Sequence, residues 1–227
     1  YCKKKFNRLI NIHIQNPKIS PKNFNYIVSP NHDNFFGNNV INSIGALHYF
    51  TRNNKDINSK LITCIIGGDN QHYYFGNKEA NKLCDKLLEL KKDNISLEFQ
   101  IITSRRTSNL VKNIISEKLN KIAYIWSGDG KNPYEESIQI SSYFIVTSDS
   151  TSMISEAAVS GRPIYIFHLP FKRKSMRISR FHDEFKKLGI TRDIDQANQL
   201  SNWKYNLLNE SERIGSIIKE RIIKDNL

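Results

Sequence analysis

The chain has 227 residues, 34 Lys+Arg against 22 Asp+Glu, a formal net charge of +12 and 39% hydrophobic residues. That apolar content excludes a disordered chain, and no run approaches the ~20 continuous apolar residues of a membrane helix. Domains average roughly 100–200 residues, so the length allows one domain or two small ones.

Residues 1–14 (YCKKKFNRLINIHI) set basic residues before apolar ones. They lack the longer apolar stretch and the small-residue cleavage site of a signal peptide. Residues 9–15 alternate, with Ile10, Ile12 and Ile14 on one face, which predicts a strand ended by Asn16-Pro17. Residues 24–29 (FNYIVS) predict a second strand, stopped by Pro30. Residues 30–51 mix polar groups, Gly37 and Gly45 with apolar side chains. They read as a functional loop leading into a short helix or strand. Residues 52–60 are polar, as in a linker or hinge.

A regular pattern then begins. Residues 61–66 (LITCII) read as a strand buried on both faces, broken at Gly67-Gly68. Residues 79–92 carry Ala80, Leu83, Cys84 and Leu87 at helical spacing. Residues 97–103 predict a strand, and Val111, Ile114, Ile115 and Leu119 line a helix. Residues 123–126 and 143–147 predict strands, 151–160 a short helix stopped by Gly161, and 164–167 a strand. From Trp203 on, Leu207, Ile214, Ile217, Ile218 and Ile222 form a helical stripe. This alternation predicts an α/β fold with parallel sheet and helices on both faces. The hinge divides it into residues 1–56, residues 57–200 and a terminal helix in 201–227 that returns towards the first lobe. The first lobe shows two strands where a self-standing sheet has about four to six, so its amino-terminal part is expected to be missing.

Cys2, Cys64 and Cys84 have no CxxC spacing and suggest neither a disulfide framework nor a zinc ribbon, which favours a reducing, cytoplasmic compartment. Lysine supplies 23 of the 34 positive charges, and Asn and Ile are also abundant. AT-rich coding produces that trio, so part of the charge is solvated surface. The remainder favours phosphate, nucleic acid or acidic headgroups.

Six segments carry chemistry. Gly67 and Gly68 sit at a strand's carboxyl end, where adjacent glycines let backbone approach a phosphate or merely serve a turn with φ > 0. Thr147, Ser148 and Asp149 end a strand, and the hydroxyls of Ser150, Thr151 and Ser152 open the helix that carries Glu156. Those hydroxyls cap the helix or surround an anion. Glu156 either matches the helix dipole or accepts bonds from a ribose diol. Arg105 and Arg106 follow a strand, where an arginine fork suits a diphosphate; the plain alternative is a solvated basic pair. The strand-end loop 126–134 offers Asp129 and Asn132 to a ligand or to a turn. The basic run Lys172, Arg173, Lys174, Arg177 and Arg180 could clamp a phosphate or meet a membrane, or be a solvated loop. In residues 29–37, His32 and Asp33 offer a general base and its orienting partner, although adjacent side chains seldom point the same way. HExxH, GxSxG, P-loop and GxGxxG motifs are absent.

Taken in order, SPNHDNFFGNNVINSIGALH, IIGGDNQHYYF, TSRRT, GDGKNPY, VTSDSTSMISEA, GRPIYIF and RISRFHDEFKKLGITR resemble one family. It is that of the plant mitochondrial fission factor (elongated-mitochondria) and its bacterial relatives, and the resemblance runs from about residue 9 to 192. It implies the GT-B glycosyltransferase-like fold of two Rossmann-like lobes, shared with sugar-nucleotide 2-epimerases and a cell-wall N-acetylglucosaminyl transferase. There the second lobe holds the nucleotide diphosphate, and a Glu after a Ser/Thr-rich strand end holds the ribose. Glu156, Ser150 and Ser152 occupy that place, and Gly67 and Gly68 match the loop near the diphosphate.

The resulting expectation is a protein that binds a nucleoside-diphosphate sugar and transfers the sugar near a membrane. Glu156 orients the ribose. Arg105, Arg106, Gly67, Gly68 and the helix start at Ser150 and Ser152 neutralise the diphosphate. Asp129, Asn132 and Asp149 line the cleft, and His32 or Asp33 is the acid/base from the first lobe. No metal, further cofactor or nucleic acid is expected; a peripheral membrane surface is the second expected partner, at the inner face of a membrane. Whether the chain is an enzyme stays open. The alternatives are a non-catalytic fission or morphology factor and a nucleotide-sugar epimerase.

Overall fold

The computed structural model describes residues 9–53 and 55–225. Cys2, the basic start of the chain and Asn54 of the linker lie outside the described residues. The chain forms two compact units, one from the residues up to Tyr49 together with those from Leu208 on, the other from Phe50 to Leu207.

The first unit opens with three parallel strands, β1 (Ile12–Ile14), β2 (Tyr26–Pro30) and β3 (Val40–Ser43), with β2 in the middle. Between β2 and β3 the chain makes a short 3-10 turn, Asn31–Asp33, closed by Asn34 in the left-handed region. Thus the short helix or strand expected after the loop is a strand, β3. The isoleucine face of β1 is exposed, Ile12 at 45% and Ile14 at 58%. The alternation forecast the strand but not its cover. Ile12 and Ile14 pair with Tyr26 and Val28 and share their face, yet β1 is the edge strand and the apolar cluster closes over Val28 and Ile41 instead.

The second unit is a six-stranded, wholly parallel sheet. In chain order its elements are β4 (Asn58–Ile66), α1 (Asn77–Asp93), β5 (Glu98–Thr103), α2 (Asn109–Leu119), β6 (Ala123–Trp126), α3 (Tyr134–Ile140), β7 (Ser141–Thr147), α4 (Thr151–Ala158), β8 (Ile164–Phe167), α5 (Met176–Lys187) and β9 (Thr191–Asp193). The strand order is β6-β5-β4-β7-β8-β9. Residues 61–66 are buried throughout, as a central strand covered on both faces requires. Ile62, Cys64 and Ile66 pack with Leu83, Cys84 and Leu87 of α1 and Val111, Ile115 and Leu119 of α2. Thr63, facing the other way, shares a hydrogen bond with Ser141 at 2.7 Å. The chain leaves β4 in one direction along the sheet, then returns to place β7 on its other side. The order therefore reverses between β4 and β7, where doubly wound sheets open a crevice at their carboxyl ends.

After β9 the chain returns to the first unit as α6 (Glu210–Lys224). Its Ile214 packs on Val28 and Ile41. Glu210 accepts from the Ile44 N–H at 2.7 Å, Arg213 donates to the Asn42 carbonyl at 2.7 Å, and Tyr26 donates to Asp225 at 2.7 Å. Leu207, expected on the helical stripe, precedes the helix and is exposed. The α/β class with two parallel, Rossmann-like sheets agrees with the expectation.

Candidate functional site at the carboxyl edge of the second sheet

Because all six strands are parallel, the loops after them emerge at one edge. Gly67 and Gly68 follow β4, Arg105 and Arg106 follow β5, Asp129 and Asn132 follow β6, and Asp149, Ser150 and Ser152 follow β7. The sheet thus brings these residues to a common edge.

At the reversal point the contacts centre on Asp149. Its carboxylate is buried and accepts from Thr147 Oγ1 at 2.6 Å, from the Gly68 N–H at 3.0 Å and from Arg106 Nη2 at 2.8 Å. Burial pushes this carboxyl above its usual range, while Thr147, Gly68 and Arg106 pull it down. The Gly67 N–H donates to Thr147 Oγ1 at 2.8 Å. Both glycine N–H groups are therefore engaged within the protein. Neither glycine has a positive φ; what each needs is close approach. A Cβ on Gly67 would stand 2.1 Å from Asp149 Oδ2, and one on Gly68 2.1 Å from the Arg106 carbonyl oxygen. Thr107 fastens the next loop by donating to the Gly67 carbonyl at 2.5 Å.

Beside this hub lies a cavity of about 330 Å³. Ile65, Ile102, Trp126 and Met153 give it apolar walls, and Arg105, Asn132, Tyr134 and Glu156 supply polar groups. Glu156 sits in the second turn of α4, and its side chain accepts from Tyr134 Oη at 2.5 Å. Burial raises the Glu156 carboxyl above its ordinary value, and the Tyr134 bond partly offsets this. The Trp126 indole N–H is buried and has no hydrogen-bond partner among the described residues. A half-buried carboxylate beside apolar and aromatic walls suits a ligand with a flat apolar body and hydroxyl donors. Tyr134 and Trp126 were not singled out in the sequence. The available signal was that two aromatic residues bracket the strand-end loop holding Asp129 and Asn132.

Ser150 caps α4, its side chain accepting from the Met153 N–H at 3.4 Å. Ser152 and Arg105 are exposed at the same edge. Asp129 is exposed between Gly128 and Gly130, both with positive φ, and does not line the cavity. Asn132 does, and it also accepts from the Tyr134 N–H at 3.0 Å, fixing the start of α3. Arg106 is turned to Asp149.

A family model described as Mitochondrial fission ELM1 matches residues 1–222. The chain belongs to that family. An uncharacterized protein of Rickettsia prowazekii (strain Madrid E) is 28% identical over 266 aligned positions, covering 96% of this chain and 75% of that protein. The Mitochondrial fission protein ELM1 of Arabidopsis thaliana is 29% identical over 168 positions, covering 71% of this chain and 38% of that protein. Among solved structures, UDP-GlcNAc 2-epimerase from Neisseria meningitidis bound to UDP-GlcNAc aligns at a TM-score of 0.42 and 15% identity, over 71% of this chain and 45% of that one. The expected membership of the mitochondrial fission family is thereby met.

His32 and Asp33 belong to the first unit, in the 3-10 turn after β2. The His32 side chain is 1% exposed, and its Nε2 stands 3.9 Å from Asp33 Oδ1, beyond hydrogen-bond length. A further residue the sequence reading passed over is His182 of α5, whose Nε2 meets the Ser148 carbonyl at 2.9 Å and so supports the loop that carries Asp149. Burial lowers its pKa to about 4, which keeps it neutral and leaves Nε2 as the donor. Among the described residues, no group of three or more His, Cys, Asp or Glu is arranged to hold a metal ion, and no helix is long and apolar enough to cross a membrane.

Proposed function

We propose that the second unit binds a nucleoside diphosphate sugar at its carboxyl edge and that the protein transfers the sugar to an acceptor at a membrane. The observation that carries this reading is the cavity itself: the half-buried Glu156 carboxylate lines it together with apolar and aromatic walls beside the strand-order reversal. In this reading the base lies against Trp126, Ile102 and Met153. Glu156 accepts from the ribose diol in place of, or together with, the Tyr134 hydroxyl. The diphosphate extends towards the start of α4 and Arg105, where helix N–H groups and an exposed guanidinium favour negative charge. Gly67, Gly68, Arg106 and Asp149 serve it indirectly by holding the two strand-end loops together. The same charge stabilisation eases departure of the diphosphate as leaving group. The net charge of +12 suits an acidic membrane surface.

A thermal-shift panel of nucleoside diphosphates and nucleotide-sugars tests the binding. A member present at 100 times its Kd should stabilise by about 2.7 kcal/mol, and no shift with any member would remove the reading. His32 is the proposed acid/base. His32→Ala should abolish turnover while the nucleotide-induced shift persists; turnover that survives would make His32 a core residue of the first unit.

The second reading is a non-catalytic fission or morphology factor that uses the fold for binding. The burial of His32 favours it, because a general acid must reach its substrate. Nucleotide binding without hydrolysis or transfer for any sugar donor is its expected signature. A nucleotide-sugar epimerase would instead release free epimerised product.

A further inference from the structure

The loop between β8 and α5 is set out as a platform. The Lys172 and Arg173 N–H groups both donate to the His72 carbonyl, at 2.8 and 3.3 Å, and the Tyr74 N–H donates to the Pro170 carbonyl at 3.0 Å. Phe171 stacks on Tyr73 with ring centroids 4.6 Å apart. Lys172 pairs with Asp69 and lies 5.8 Å from the Tyr74 ring centroid. On this ordered base three large apolar side chains face outwards: Tyr74 at 49%, Phe171 at 44% and Met176 at 63% exposure. Arg173, Lys174 and Arg177 are exposed among them.

Single exposed apolar residues are ordinary. Three of them interleaved along the chain with exposed cations, beside a loop fixed by backbone bonds, are a different pattern. Free water gains nothing from Phe171 or Met176, and an acidic protein surface answers the cations but not three apolar tips drawn from two loops and a helix start. An anionic bilayer matches both features, since its headgroups attract the cations and its acyl boundary accepts the rings and the thioether. We propose that residues 171–177 with Tyr74 form a docking surface for an anionic phospholipid bilayer. Phe171 follows the carboxyl end of β8, so the surface lies at the same edge of the sheet as the cavity. A lipid-borne acceptor would then meet the donor site without leaving the membrane. The docking rests on the reading above for its purpose only: it has its own residues and its own assay.

The test is co-sedimentation of the whole chain with vesicles of phosphatidylcholine alone or with a third phosphatidylserine. Binding should require the anionic lipid and fall as salt shortens the Debye length from about 30 Å at 0.01 M to about 8 Å at 0.15 M. Arg173→Glu with Lys174→Glu should weaken the partition at least roughly thirtyfold. Met176→Ser should weaken it severalfold with its salt dependence unchanged, which bulk charge cannot explain. Lys60→Glu with Lys121→Glu makes the same charge change at the opposite, amino edge of the sheet and should leave binding intact. The proposal is overturned if neutral vesicles bind equally, if no vesicle binds, or if the control pair loses as much as the patch pair. Release by inorganic phosphate at matched ionic strength would also overturn it, by making the loop a free-anion site. Nucleotide thermal shifts, measured on the same variants, report separately on the cavity.

Discussion

Glu156 is the residue whose chemistry and position most constrain the proposed function. Its raised pKa means the folded state prefers the protonated carboxyl. Its stabilising contribution is present below the ordinary value of 4.5 and is lost as pH rises through the raised one. At neutral pH the charge is therefore held at a cost to the fold, which suits a group kept for a ligand. Glu156→Gln keeps the shape and removes the charge. The variant should melt at pH 7 no lower than the parent, yet bind nucleoside diphosphates about 1.5–3 kcal/mol more weakly. Titration by calorimetry and a melting curve give both numbers; equal affinity, or a variant that unfolds, would end the ribose role. His182 has the opposite sign. Its folded pKa is depressed to about 4 from 6.5, so its contribution is complete above 6.5 and drains away as pH falls from 6.5 to 4. His182→Gln keeps an N–H for the Ser148 carbonyl but cannot protonate. The drop in melting temperature across that window should be smaller in this variant, and an identical drop would show that other groups govern acid stability.

At the scale of elements, the loops after β4 and β7 interlock through one carboxylate. Gly67→Ala puts a methyl group against Asp149, and Gly68→Ala puts one against backbone of the β5–α2 loop. Each should cost about 1–3 kcal/mol, as overpacking does. The two differ in remedy. In an Asp149→Ala background the Gly67→Ala penalty should shrink, because its obstacle is gone, while the Gly68→Ala penalty should persist. Chemical denaturation of the double-mutant cycles measures this coupling, and equal penalties in both backgrounds would refute the contact. The elements themselves were largely legible in the sequence. The unbroken apolar run 61–66 announced a central parallel strand, and residues 123–126 and 164–167 were bounded to the residue. The missed elements have physical reasons. The seven-residue α3 is too short to show a helical period, and β9 has three residues, one of them the exposed Arg192. Helix α5 begins inside a dense basic run that reads as loop, although Ile178, Phe181 and Phe185 are buried at helical spacing. At the site, glycine and hydroxyl positions were legible because strand ends announce them. The engagement of Asp149 with Gly67, Gly68 and Arg106 was not, since it joins residues 43 to 82 apart in the chain whose meeting depends on the strand order.

At the scale of the whole molecule, chain order and unit membership part company. The first unit is assembled from two ends of the sequence, and the second is a continuous stretch between them. The three-stranded sheet of the first unit owes much of its cover to α6. Ile214 seals Val28 and Ile41, and the bonds to the Ile44 N–H, the Asn42 carbonyl and the Tyr26 hydroxyl tie helix to sheet. Glu210 is itself buried and paired with Arg213 at 2.6 Å. Ending the chain after Leu207 strips all of these at once and leaves Val28 and Ile41 exposed on one sheet face. A three-stranded sheet whose apolar face is returned to water loses the burial that stabilises it. The backbone amides of β2 and β3 should then lose their protection from hydrogen exchange, whereas those of β4, β5 and β7 keep theirs, since no strand or core helix of the second unit is cut. The nucleotide-induced shift of the second unit should persist in the shortened chain, because every residue assigned to the cavity lies between Ile65 and Glu156. Continued protection of the Val28 and Ile41 amides would mean that the first sheet stands without α6. Loss of protection throughout would mean that the two units fold as one.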